Sequence, residues 1–135
     1  MKSRVSSEEA AENKRRHLKR RETIRARLGV RNMNDTKWAE VMDTVFGSRR
    51  SSDAFRVHIK FIDSAASRPL GGTIPVNRKW ADSDVGPFEY VDIEWLQVKG
   101  EGASNVRKAL DALGLLPFVQ MENGFRIQAY GLLNA

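Results

Sequence analysis

Two short rows of side chains could do chemistry in this chain: Arg56, His58 and Lys60, and Tyr90, Asp92 and Glu94. Spacing of two residues puts the members of each row on one side of a β-strand. If the two strands are neighbours, cations face carboxylates, and His58 beside Asp92 or Glu94 has the makings of an acid–base pair. Arg126, Gln128 and Tyr130 would extend the face by a third row. The same alternation arises in any half-exposed sheet whose outer side is laced with ion pairs of little energetic value. No nucleophile or metal-ligating cluster accompanies the carboxylates, so the rows read as a surface for contact with another protein and no catalytic residue is assigned. Trp80, close to Arg78, is a further contact candidate of the type that anchors interfaces.

A second chemistry lies upstream. Lys14, Arg15, Arg16, Lys19, Arg20, Arg21, Arg25 and Arg27 crowd one segment, and clustered cations of this kind can neutralise phosphates along a nucleic acid. Glu8, Glu9, Glu12 and Glu22 are interspersed, so that Glu12 can pair with Arg16, and no aromatic residue is interleaved for base stacking. A solvated basic arm explains the same residues. Nucleic acid, held through residues 8–28, is therefore the alternative partner. His17 and His58 lack companions for a zinc site. Gly100-Glu101-Gly102 precedes a helix, but Asn105 replaces a third glycine and Glu101 would repel a phosphate. No cofactor is implied.

Charge is divided unevenly along the 135 residues. Residues 1–31 hold eleven Lys/Arg against four Glu, a net +7, and the rest hold twelve Lys/Arg against thirteen Asp/Glu, a net −1. The overall +6 thus describes an extension, and an apolar content of 41% suffices for one modest core behind it. The absence of cysteine excludes disulfides and thiolate chemistry. The opening residues contain no apolar signal core, and no stretch of about 18 apolar residues could span a bilayer. A cytoplasmic protein without membrane contact is the expectation.

The elements that must position these residues follow from periodicity. Acids near the start, bases near the end and Gly29 predict a helix over Glu8 to Leu28, about 30 Å long. Its apolar positions Ala11, Leu18, Ile24 and Leu28 form only a thin stripe. Asn34 or Asp35 caps a second helix, in which Trp38, Val41, Met42, Val45 and Phe46 share one face. Ala54–Ile62 alternates as a strand with Phe55, Val57, Ile59 and Phe61 inward. A loop covers 63–72, Thr73–Val76 is a short edge strand, and Phe88–Val98 is a long strand with Val91, Ile93 and Trp95 inward. Ser104 caps a short helix ending at Gly114, and Asn123-Gly124 turns a hairpin between Pro117–Met121 and Phe125–Tyr130.

Met33-Asn34-Asp35-Thr36-Lys37-Trp38, Ile93-Glu94-Trp95-Leu96 and Glu122-Asn123-Gly124-Phe125-Arg126-Ile127 together give the chain a likeness to known sequences. Over roughly residues 33–131 it resembles a family of small bacterial domains of unknown function with an M-N-N-T-K-W box, an I-E-W-[LI] strand and a closing N-G-F hairpin. Asp35 replaces the second Asn of that box, and the loop around 63–87 is long. The resemblance implies an α+β domain without assigning an activity, and domains of this kind are often immunity-type or other protein-binding modules. The expectation is a small, mainly antiparallel sheet packed by two helices over 33–135, preceded by a basic helical extension over 1–32. Its expected role is a non-enzymatic interaction domain, immunity-like in its finer form, and a chain begun at Met33 is expected to fold.

Overall fold

The computed structural model describes residues 7–48, 54–70, 80–83 and 86–131. Helix α1 spans Ser7–Leu28, with Glu8 and Glu9 in its first turn and Arg25 and Arg27 in its last, the arrangement the helix dipole favours. Gly29 stops it at φ +88°, a left-handed angle that a residue without Cβ adopts with little strain. Helix α2 spans Asp35–Ser48, and the Asn34 side-chain oxygen accepts the Lys37 backbone N–H at 2.8 Å. That cap satisfies a donor the first turn leaves unpaired. On the face of α2 predicted to be apolar, Trp38, Val41, Met42 and Val45 are fully buried. Each contributes roughly 1.5–3 kcal/mol of apolar burial.

Five strands form one antiparallel sheet in the order β2-β1-β5-β7-β6. They are β1 (Arg56–Phe61), β2 (Arg68–Pro69), β5 (Ile93–Lys99), β6 (Phe118–Met121) and β7 (Gly124–Gln128). Two further strands, β3 (Trp80–Ser83) and β4 (Gly86–Glu89), form a separate hairpin. Register lines up Val57 with Val98, Ile59 with Leu96, Leu96 with Ile127 and Val98 with Phe125. This inner face is buried beneath α2 and the shorter α3 (Ala103–Asp111), whose Val106 and Leu110 join the same core. Lys37 of α2 donates to the Leu113 carbonyl just past α3, tying the two helices together. The chain is an α+β fold with a small antiparallel sheet.

Asn123 takes φ 62° in the turn between β6 and β7, as the Asn-Gly signal predicts. At Gly124 a Cβ would stand 2.0 Å from the Val98 carbonyl oxygen, so the close pairing of β7 with β5 requires glycine there.

Four expectations change. The strand predicted over 88–98 is broken: β4 ends at Glu89, Tyr90–Asp92 form a 3-10 turn, and only Ile93 onward joins the main sheet. In that turn the Tyr90 ring enters the core and is fully buried. Within β5, Lys60 pairs with Trp95 and Phe61 with Ile93, leaving Glu94 as an extra bulged residue. Ile93 therefore faces inward as predicted, whereas Trp95 lies on the sheet's other side, where it is buried as expected but beneath the Arg126 side chain. The loop over 63–72 contains the short edge strand β2. Ser104 does not cap α3: the cap is Gly102, with no side-chain bond, and backbone bonds from Gly102 to Ala54 and from Ala103 to Gly100 satisfy the turn. The strand predicted at Thr73–Val76 lies outside the described residues.

Helix α1 is joined to the sheet's far end. Ile24 and Leu28 pack against the core, while Ala11 and Leu18 are exposed. Just beyond, the Asn32 N–H donates to the Ala129 carbonyl at 2.6 Å, its side-chain amide donates to the Gln128 and Gly131 carbonyls, and Gly131 N–H donates to Val30. These bonds cross the position drawn between extension and domain at Met33.

Candidate functional site

The side of the sheet turned away from α2 and α3 carries the candidate site. Alternation from the buried Val57 and Ile59 directs Arg56, His58 and Lys60 outward, as their spacing predicts. Opposite them the register places Lys99, Gln97 and Trp95 of β5, and beyond Gln97 it places Arg126 of β7. Two ladders result. One runs Pro69, His58, Gln97, Arg126, Val119, and the other joins Lys60, Trp95 and Gln128.

At the centre the Arg126 guanidinium stacks over the Trp95 ring at 3.9 Å from its centroid and donates to the Gln97 side-chain oxygen at 3.1 Å. The indole offers the guanidinium a flat, electron-rich surface. Burial lowers the Arg126 pKa, and the nearby Glu94 charge acts in the opposite direction. Glu94 itself is held by Lys60, with Nζ 2.8 Å from Oε1. Arg56 and Lys99, directly opposite each other, have no ion-pair partner among the described residues. Four cations, Arg56, Lys60, Lys99 and Arg126, line this face; Glu94 neutralises Lys60, and Glu101 and Glu122 share a pocket with Arg56 and Lys99 at its end.

The two rows of opposite charge expected from the sequence do not assemble. Tyr90 lies in the core, where burial pushes its phenol up to about 12. Asp92 sits in the 3-10 turn and faces α1, because the chain leaves strand conformation before reaching it. Of that row only Glu94 reaches the outer face, and the bulge directs it to Lys60. His58 faces Pro69 and Gln97, and its Nδ1 is buried without a hydrogen-bond partner. Both carboxylates offered as its acid–base partners are engaged by other cations. Tyr130 is also buried, and its hydroxyl donates to the Val91 carbonyl. Arg78 and the Trp80 side chain lie outside the described residues, although the Trp80 backbone opens β3 instead of lying in a loop.

Residues missed from sequence were Trp95, Gln97 and Lys99. The apolar alternation of Leu96 and Val98 was the available signal, since it assigns the residues between to the outer side. Among the described residues no group of three or more His, Asp and Glu could hold a metal ion.

The basic segment divides along α1. Residues Asn13–Arg20 are exposed on every side, including Lys14, Arg15, Arg16, Lys19 and Arg20. Arg21 turns inward, its side chain 12% exposed, and makes two hydrogen bonds to Asp92 and an ion pair with Glu89 at 3.2 Å. Burial lowers its pKa, but the bonds and charge of Asp92, with Glu89, outweigh that effect and leave it raised. Arg25 is half-buried and Arg27 exposed. Arg21 is thus removed from the exposed nucleic-acid candidates. Glu12 reaches Arg16 at 3.5 Å, the intrahelical pairing expected from the spacing, and also Arg15 at 3.2 Å.

Comparison of the chain with protein-family models, with curated proteins and with solved structures returns no match. No helix among the described residues is long and apolar enough to cross a membrane.

Proposed function

We propose that this chain is a non-enzymatic binding domain that engages an acidic surface of another protein through the outer face of its sheet. The observation that carries this reading is the row of cations on that face, where Arg56, Lys60, Lys99 and Arg126 stand together and the carboxylates are Glu94, beside Lys60, and Glu101 and Glu122, at the Arg56–Lys99 end. Steering by such a field speeds encounter with an oppositely charged partner and disfavours basic ones. The Arg126–Trp95 stack supplies a rigid amphipathic centre of the type that dominates interface energetics. Val119 and Met121 on β6 add apolar surface beside it.

Occupied carboxylates support a binding role over a catalytic one. Lys60 holds Glu94 and Arg21 holds Asp92, so His58 has no carboxylate free to share a proton with it. Immunity proteins that cap a toxin are one form such a domain takes, and the family resemblance accords with that form.

The test is affinity capture with the full chain from its native host, alongside Arg56→Glu, Lys99→Glu and Arg126→Glu combined in one variant. The expected result is a protein with an acidic surface retained by the parent chain and lost by the variant, with unchanged circular dichroism. A parent chain that captures nothing, or a partner retained equally by the variant, would refute the proposal.

A further inference from the structure

Helix α1 has a property that the sheet face does not explain. Its residues Asn13–Arg20 are exposed all round, while Arg21, Ile24 and Leu28 fasten its following turns to the body. The helix therefore has a fixed root and a set direction, and its stretch from Arg16 to Arg20 runs beside the body across open grooves. Along one side Arg16, Arg20 and Arg27 recur at four- and seven-residue intervals, within about 40° of one another at 100° per residue, over about 16 Å of helix. Lys19, Thr23 and Ile24 share that side, which overlooks residues Ile62–Ala65 across an open groove of about 700 Å³. The groove's lining has four cations and one acid, Asp63, with Thr23 and Ser64 as neutral hydrogen-bonding groups.

We propose that α1 enters the major groove of duplex DNA, with Arg16, Lys19, Arg20 and Arg27 contacting phosphates of one strand. Fit decides among nucleic acids. An α-helix with its side chains is about 10–12 Å across, and the major groove of B-DNA is about 12 Å wide. The major groove of duplex RNA is too deep and narrow for side chains to read. Single strands are gripped by stacking bases on aromatic rings, and Ser7–Leu28 contains no Phe, Tyr or Trp. The pairs of Glu12 with Arg15 and Arg16 compete weakly, since both arginine side chains are 73% exposed. This site is independent of the acidic-protein reading, because it uses a different surface.

The test is fluorescence anisotropy of the full chain with a labelled DNA duplex of about two turns, the same sequence as duplex RNA, and its single strand. Four phosphate contacts give a slope of log affinity against log salt near −3.6, so tripling the salt should weaken DNA binding about 50-fold. With Arg16→Gln, Arg20→Gln and Arg27→Gln together, the same change should cost only about threefold. Arg126→Glu on the sheet should leave DNA binding unchanged. Unfolding curves establish whether the triple variant is folded, and if it is not, Arg20→Gln alone should reduce the slope by about 0.9. Tighter binding of RNA or single strand, no DNA binding at low salt, an unaltered slope, or equal sensitivity to Arg126→Glu would each overturn the proposal.

Discussion

Arg21 on α1 and Asp92 in the turn before β5 are joined by two hydrogen bonds, Nε to Oδ1 at 2.6 Å and Nη2 to Oδ2 at 2.8 Å. They are 71 residues apart in sequence. The paired geometry matches the fork of a guanidinium to both oxygens of a carboxylate, and it stands 12% and 22% exposed, so water screens it only in part. The pair sets where α1 leaves the body.

Replacing Asp92 with Asn removes the charge and one acceptor while preserving shape. The expected loss is about 1–3 kcal/mol in urea unfolding, accompanied by faster tryptic cleavage within α1. A parent-like midpoint with unchanged cleavage would show that the pair does not anchor the helix.

Chain shortening separates the exposed turns from the docked ones. A chain starting at Arg21 keeps the Asp92 pair, the Ile24 and Leu28 contacts and the bonds of Asn32, and should unfold at nearly the same denaturant concentration as the full chain. One starting at Met33 loses all of them and should be less stable by at least about 3 kcal/mol, from five hydrogen bonds and two apolar side chains. Equal stability of the two shortened chains, by chemical denaturation, would place the start of the independent folding unit at Met33.

Alkaline pH should act through the buried tyrosines. Tyr90 is pushed up to about 12 by burial, with the charge of Asp35 acting in the same direction, and burial also raises Tyr130. Both phenols keep their protons in the folded chain after the unfolded chain has lost them. Stability is therefore complete below about pH 10 and falls as pH rises toward 12, by on the order of 2–3 kcal/mol for Tyr90. Denaturant midpoints across this range, with tyrosinate absorbance as the reporter, should show the decline. A flat profile would remove the coupling.

Local patterns made much of this fold legible. The spacing of Trp38, Val41, Met42 and Val45 marked the buried side of α2, the alternation around Val57 and Ile59 marked β1, and Asn123-Gly124 marked the last hairpin. Each depends on neighbours in sequence. The phase of β5 was hidden because a 3-10 turn and one bulged residue interrupt period two between Tyr90 and Trp95, so Trp95, which is buried, was assigned to the wrong side of the sheet. Arg21 was hidden among similar residues. Its place three and seven positions before Ile24 and Leu28 puts it on the apolar side of α1, and that distinguished it from the outward-facing cations. Its partner, held in a turn far along the chain, had no local signature.

The bulge at Glu94 has an evolutionary reading. Ile93 opposite Phe61 and Trp95 opposite Lys60 would stay in register if residue 94 were deleted, since it has no counterpart on β1. Relative to β1, the chain can thus lose an amino acid at this point without exchanging the two sides of its sheet. What a deletion removes is the neutralising carboxylate beside Lys60 and also the Glu94 carbonyl that accepts the Ala129 N–H, so codon loss at this position would change the polarity of the surface and loosen the join to the chain beyond β7.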